Sequence, residues 1–211
     1  MLKRIKIIFV LILMISVMSL VSNSYSRYLS NSIGNVNLNI ANWQILVNNS
    51  DITKNDSTEV SFTPTIFEDA NVEPGVVAPS SKGYFDISID PRNVDLSFLY
   101  NIEFKVLNDN IPDLMINKYA KLPYDFKDEK VSEDLIIDLN DNNVSEILRY
   151  NKDVEKFEFE PFTIRLYFEW YDGELQTASD ASDTDVGHDA AVNDTTLNIE
   201  ANIKFEQFMG D

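Results

Sequence analysis

Apolar and polar side chains alternate strictly along the last part of the chain, and this two-residue period is the strongest constraint on the fold. An alternating segment acquires one apolar face as an extended strand, whereas a helix needs apolar residues every three or four positions. The same period recurs at residues 43–47, 85–89, 98–106 and 162–170. In the segment near the end of the chain, the apolar residues are Leu197, Ile199, Ala201, Ile203 and Phe205. The sequence therefore predicts a protein built mainly from half-buried β-strands.

Shorter patterns predict further strands. Residues 36–40 alternate apolar residues with asparagine, and Val60 and Phe62 indicate a weaker strand that Pro64 closes. Residues 114–119 and 135–139 are also typical of short strands. The segment 162–170 carries arginine and tyrosine on its polar face, so we expect a central strand that is partly covered on both faces.

Three other signals mark turns and breaks. Residues 48–51 read Asn-Asn-Ser-Asp, and these residue types tolerate left-handed backbone, so they predict a turn. Pro91 is expected to end the strand at 85–89, because proline has no N–H to donate to a ladder. Val144, Ile147 and Leu148 follow helical spacing behind Asn143, which predicts one or two turns of helix.

Many strands and little helix predict the fold class: an all-β, antiparallel two-sheet sandwich that is jelly-roll-like. The strand spacings are uneven, which argues against an up-and-down barrel. No linker rich in Gly, Ser or Pro divides residues 27–211. We therefore expect residues 27–211 to form a single β-sandwich domain with a substantial core.

The beginning of the chain predicts export. Lys3, Arg4 and Lys6 precede an apolar run at residues 7–21, and small residues follow it, which is the pattern of a secretory signal peptide. We expect residues 1–26 to be removed by a signal peptidase that cuts between Ser26 and Arg27, with a cut after Ser24 as the alternative. A retained membrane anchor is the other reading, but fifteen apolar residues fall short of the roughly 20 that cross a bilayer.

The charge of the mature chain restricts its partners. The sequence has 17 basic and 35 acidic residues, and three of the basic ones lie in the predicted signal, so the mature chain carries a net charge of −21. Such a polyanion is repelled by nucleic acids and by anionic membrane surfaces. The chain has no cysteine, so an exported domain of this sequence is held together by its core and not by disulfides.

The sequence offers no recognisable catalytic or cofactor-binding site. His188 is the only histidine, so the chain cannot supply the two histidines of an H-E-x-x-H zinc site. No serine lies in a G-x-S-x-G motif. Carboxylates are so numerous that two of them together would not indicate a glycosidase pair. We therefore predict a protein that is not an enzyme.

One acidic cluster is compatible with calcium. Five aspartates fall between the last two strong strands: Asp180, Asp183, Asp185, Asp189 and Asp194. Asp183 and Asp185 alternate ahead of Gly187 as in a calcium loop, and with Asp189 they form the candidate calcium site. The alternative is a solvated acidic loop, because the third alternating acid and a bidentate glutamate are missing.

Four stretches of the chain resemble the TasA and camelysin-like group of Gram-positive secreted proteins. They are the junction from the apolar signal into residues 25–30, the turn before a strand at residues 77–85, the turn at 93–95 leading into residues 100–102, and the closing strand at 198–206. The resemblance implies export by a specialised signal peptidase and a jelly-roll-like sandwich. It implies a structural subunit of biofilm fibres, as in TasA, or a surface metalloprotease, as in camelysin.

From these observations we expect a secreted, non-enzymatic protein of the extracellular matrix or cell surface. Its partners would be other copies of itself or other matrix proteins, and no stable membrane anchor would remain after cleavage. A metalloprotease and a cation-binding adhesin are the alternatives. The first mature segment suggests how copies assemble: residues 27–35 have few apolar side chains to pack, and the strand at 36–40 that follows could pair with the edge of a neighbour.

Overall fold

The computed structural model describes residues 2–25, 40–54, 59–107, 113–139, 141–173, 180–193 and 199–210. Its helices and strands are α1 (Leu2–Tyr25), β1 (Trp43–Val47), β2 (Ser50–Asp51), β3 (Thr65–Ile66), β4 (Lys82–Val94), β5 (Phe98–Val106), β6 (Leu114–Pro123), β7 (Ile136–Asp138), β8 (Asn143–Leu148), β9 (Phe162–Trp170), α2 (Asp180–Asn193) and β10 (Ile199–Gln207). The chain forms two compact units, Met1–Ile40 and Ala41–Asp211. The first contains α1, whose described side chains are exposed, and the second contains α2 and every strand that the structure describes.

The strands form two antiparallel sheets. The larger sheet has the order β2-β1-β4-β9-β6-β7, with β3 paired to β4, and the smaller sheet has the order β10-β5-β8. The apolar faces of both sheets contribute to one hydrophobic core. The predicted all-β, antiparallel two-sheet sandwich is therefore confirmed.

Most successive strands alternate between the two sheets. From β4 to β10 each strand passes to the other sheet, except for the hairpin of β6 and β7. The larger sheet has seven strands and the smaller sheet has three, with β5 between β10 and β8.

The core lies where the inward faces of β4, β5 and β9 meet. Ile87, Ile164, Leu166 and Ile102 are inaccessible to solvent, and Phe98 lies under Trp43 with their ring centroids 6.1 Å apart. Burying one such side chain contributes about 1.5–3 kcal/mol. These residues come from the segments with the clearest two-residue period, so the core follows directly from the sequence pattern.

The outward face of β9 is also covered, as its composition predicts. Arg165 is only 1% exposed, and its Nη1 donates hydrogen bonds to the carbonyl oxygens of Asp128 and Glu129, at 2.7 and 3.1 Å. These carbonyls belong to residues 124–132, which pass over the larger sheet. The same guanidinium lies 3.7 Å from the ring centroid of Tyr84. The loop is thereby fixed over a sheet face that would otherwise be open to water.

The turn at residues 48–51 is confirmed. Asn48 and Asn49 both have positive φ, 46° and 65°, and Val47 pairs with Ser50 across the turn. A tight hairpin with left-handed backbone at both central positions favours asparagine. The local sequence was therefore sufficient to place this hairpin.

Two of the sequence predictions for individual elements are wrong. Residues 143–148 form strand β8 and no helix, because the six residues pair with β5 along their whole length. Pro91 does not end its strand, since β4 continues to Val94. Gln44 pairs with Asn93 and Leu46 with Asp90, so Pro91 lies in a β-bulge, where no ladder N–H is required.

Other short patterns have mixed outcomes. Strands β6 and β7 confirm the predictions at 114–119 and 135–139, and a 3₁₀ turn at Glu133–Leu135 precedes β7. Val60 and Phe62 lie in no assigned strand. The predicted strand at 36–40 lies outside the described residues except for Ile40.

Candidate strand-binding groove

A groove of about 950 Å³ runs along the outer edge of β10. Residues 199–204 line one side of it and residues 59–62 line the other, while Val47, Ile52 and Leu107 also contribute to its wall. We call it the β10 groove. It lies beside an edge strand of the smaller sheet.

The inward side chains of β10 are less buried than those of its neighbour β5. Ala201 lies opposite Phe104 and Ile203 lies opposite Ile102 in the ladder. Ile102 and Phe104 are 0% and 6% exposed, whereas Ile203 and Ala201 are only half-buried. Since β5 covers one flank of β10, the exposed part of these apolar side chains faces the groove.

The backbone of β10 also faces the groove at every second residue. The N–H of Phe208 donates to the carbonyl of Ser97 at 2.9 Å, which fixes the phase of the β10–β5 ladder. N–H and C=O groups of successive residues point to opposite sides of a strand, so even-numbered β10 residues bond to β5. The groups of Ile199, Ala201 and Ile203 therefore point away from β5. Within the described part of the chain, no strand pairs with this edge.

On the opposite side of the sandwich, side chains of β5, β6 and β8 contact one another across the two sheets. Lys121 of β6 and Tyr100 of β5 both donate to Oε2 of Glu146 in β8, at 2.6 and 2.8 Å. Burial, followed by the hydrogen bond to Glu146, raises the pKa of Tyr100 far above its ordinary value, so the phenol keeps its proton. These contacts connect the two sheets on the side away from the β10 groove, where β8 is the other edge strand of the smaller sheet.

The candidate calcium residues lie on a helix and not in a loop. Asp183, Asp185 and Asp189 belong to α2, so the prediction of an acidic loop at this position is wrong. Each helical residue turns by about 100°, so Asp183 and Asp185 point in nearly opposite directions, whereas Asp185 and Asp189 share a face. Among the described residues, no three acidic, histidine or cysteine side chains are grouped so that they could hold a metal ion.

The remaining predicted residues lie apart from the groove or outside the described residues. His188 is exposed on α2, and Asp180 begins that helix. Asp194 lies outside the described residues, as do Ser26 and Arg27 at the predicted cleavage site; α1 ends just before them, at Tyr25. Where the structure describes the chain, it contains no helix with the length and hydropathy to span a bilayer.

No protein-family model matches this sequence, and no curated protein is significantly similar to it. The resemblance to the TasA and camelysin-like group therefore stays a prediction, together with the function that it implies.

Sequence reasoning did not identify the β10 groove. It predicted the strand at 197–206 but gave no sign of which edge of that strand is unpaired, because strand order depends on contacts distant in sequence. One signal was present: the weak strand pattern at Val60 and Phe62 indicated an extended segment, and this segment is now seen to border the groove.

Proposed function

We propose that this protein is a secreted, non-enzymatic structural component of the extracellular matrix or cell surface, whose copies associate by adding a strand to the open edge of β10. The observation that carries the proposal is the set of backbone groups at Ile199, Ala201 and Ile203 that point into the groove beside half-buried apolar side chains. An unpaired edge of this kind is a template for a strand from another chain.

The incoming strand in this proposal is residues 36–40 of a second copy. Its apolar residues Val36, Leu38 and Ile40 alternate with asparagine, which matches the alternation along β10. The charge also fits: residues 1–50 contain no acidic side chain, whereas residues 51–211 contain all 35 and have a net charge of −22. Attraction between these parts of two copies favours their association.

Such a contact leads to a fibre. The donated strand lies at the beginning of the mature chain and the groove lies on the sandwich, so the contact joins two different surfaces. A head-to-tail contact of this kind continues from copy to copy unless its rotation closes a ring. The resemblance to TasA, a fibre subunit, supports the same conclusion, whereas the single histidine gives the metalloprotease alternative no pair of zinc-binding histidines.

A proline substitution tests the proposal. Ala201→Pro removes an N–H that points into the groove and leaves the bonds to β5 intact, so the sandwich is expected to fold. The control is Ser145→Pro in β8. The N–H of Phe104 donates to the carbonyl of Asn142 at 2.8 Å, so even-numbered β8 residues bond to β5 and Ser145 points outward at the opposite edge of the same sheet.

The measurement is electron microscopy and light scattering of the mature protein, residues 27–211. We expect Ser145→Pro to form fibres as the parent does and Ala201→Pro to remain monomeric with a native melting transition. Fibres of folded Ala201→Pro at the rate of the parent would show that the β10 edge is not the acceptor.

A further inference from the structure

We infer that residues 59–62 form a second pairing edge of the β10 groove, so that the incoming strand of a second copy is hydrogen-bonded on both sides. The inference rests on the proposed function, since it describes how the same groove holds its partner. It changes the nature of the contact, because a strand paired on both sides becomes a central strand and leaves neither edge of the groove open.

Residues 59–62 have the burial pattern of an extended strand. Glu59 and Ser61 are exposed, whereas Val60 and Phe62 are half-buried and pack against the core. The ring centroid of Phe62 lies 6.0 Å from that of Phe85, an inward residue of β4. The segment therefore directs its apolar side chains toward the same core as β10 does from the other side of the groove.

The backbone direction of this segment follows from one hydrogen bond. Nδ2 of Asn48 donates to the carbonyl oxygen of Ser61 at 3.3 Å, and Asn48 does not line the groove. Because successive residues of an extended chain point their backbone groups to opposite sides, those of Val60 and Phe62 point away from Asn48. Residues 59–62 have no ladder partner among the described strands, so these groups are available to a strand in the groove.

The length of the groove fits the proposed occupant. Residues 199–204 of β10 line it, and they are one residue longer than the segment 36–40. Extended chains rise by nearly the same length per residue, so the donated strand is no longer than the groove. Residues 36–40 of the second copy are therefore short enough to lie along the groove. In this arrangement their apolar side chains cover those that β10 and residues 59–62 leave half-buried.

Two neighbouring proline variants of the mature chain test the second edge. Val60→Pro removes an N–H that faces the groove, whereas Ser61→Pro, the matched control, removes one that faces the side of Asn48. We expect Val60→Pro fibres to dissociate at least tenfold faster than parent fibres after dilution, because the donated strand is then held mainly by β10. Ser61→Pro fibres should dissociate as the parent does.

The outcomes separate this inference from the proposed function. If Ala201→Pro prevents assembly but Val60→Pro fibres are as durable as the parent, the second edge is wrong and the β10 acceptor stands. If Ala201→Pro assembles normally, the proposed function fails first. Hydrogen exchange on the unsubstituted protein gives an independent readout that does not depend on folding of a variant. The amide of Val60 should become protected on assembly, and an amide that exchanges equally fast in monomer and fibre would overturn the inference.

Discussion

The guanidinium of Arg165 forms two hydrogen bonds with the carboxylate of Asp86, each 2.8 Å long, on the face of the larger sheet that points away from the core. Arg165 and Asp86 lie directly opposite each other in the β4–β9 ladder. Together with its bonds to two loop carbonyls, this pair connects both central strands to the covering loop. A planar guanidinium satisfies all of these acceptors at once, which the ammonium of lysine cannot do.

Arg165→Met should destabilise the protein by about 3 kcal/mol, because it leaves Asp86 and two loop carbonyls without their donor. Arg165→Lys should recover only part of this loss. The measurement is the free energy of unfolding in urea. Arg149→Met is the control, since Arg149 is an exposed arginine whose guanidinium lies over the ring of Phe208. A loss for Arg165→Met no larger than that of the control would contradict the prediction.

Acid should destabilise the sandwich partly through Asp90. The Nε of Arg92 donates to Oδ1 of Asp90 at 2.9 Å, and this hydrogen bond holds the pKa of the carboxyl below its usual range. A group whose pKa is lower in the folded state contributes stability above its unfolded pKa, about 4, and loses it as the pH falls toward the folded value.

Asp90→Asn should therefore lower the melting temperature at pH 7 and flatten its dependence on pH below about 4. Melting curves at a series of pH values measure this directly. Glu206→Gln, at an exposed position of β10, is the control and should keep the slope of the parent. An Asp90→Asn profile parallel to that of the parent would rule out this role.

Deletion of residues 27–35 should leave a folded monomer that does not polymerise. The deletion removes Arg27 and shortens the chain that carries residues 36–40 to a neighbour. The parent should form fibres slowly at high ionic strength or low pH, where its negative charge is screened or titrated. A variant with a Gly/Ser segment of equal length should recover assembly. If the truncated protein forms fibres as readily as the mature chain under the electron microscope, the donor strand is a different one.

Exported protein should begin at Arg27. Ser24 and Ser26 are small residues that suit the pockets of a signal peptidase, and we expect the cut after Ser26. Mass spectrometry of the culture supernatant distinguishes this start from Tyr25, which a cut after Ser24 would give. Recovery of chains that retain Met1 in the membrane fraction would contradict processing.

Calcium should have no site-specific effect on stability. Asp183 and Asp185 point in nearly opposite directions on α2, so these two carboxylates are poorly placed to share one ion. We expect millimolar calcium and magnesium to raise the melting temperature equally, by screening, and Asp185→Asn to change neither shift. A rise with calcium alone that Asp185→Asn abolishes would restore the calcium site.

The strands that the sequence predicted well are those in which local pattern and burial agree. The predicted bounds of β5 and β9 are those of the structure, because a strand in the middle of a sheet needs an unbroken two-residue period. The spacing of Val144, Ile147 and Leu148 was misleading, since β8 is an edge strand with Ile147 38% exposed. An edge strand tolerates an apolar residue on its outer face, and pairing with β5 decides the structure there.

The groove was beyond prediction for a different reason. Nothing within β10 distinguishes its paired edge from its open edge, because the same alternation serves both. The distinction depends on β1, which pairs with β4 in the larger sheet and not with β10. Likewise, α2 lies where the acidic loop was predicted: its sequence contains no proline, and Val186 packs in the core, a tertiary contact that the local sequence does not reveal.

The outward face of β10 also affects how an isolated copy of the protein behaves in solution. Exposed Glu200, Lys204 and Glu206 lie along the same strand whose edge is open, and charged residues on an edge strand oppose its aggregation. Two sandwiches, each carrying −22 over residues 51–211, also repel each other at close approach, although salt screens this repulsion at longer range. The charge of the sandwich therefore opposes self-association in dilute solution, although one edge of β10 is unpaired within the described part of the chain.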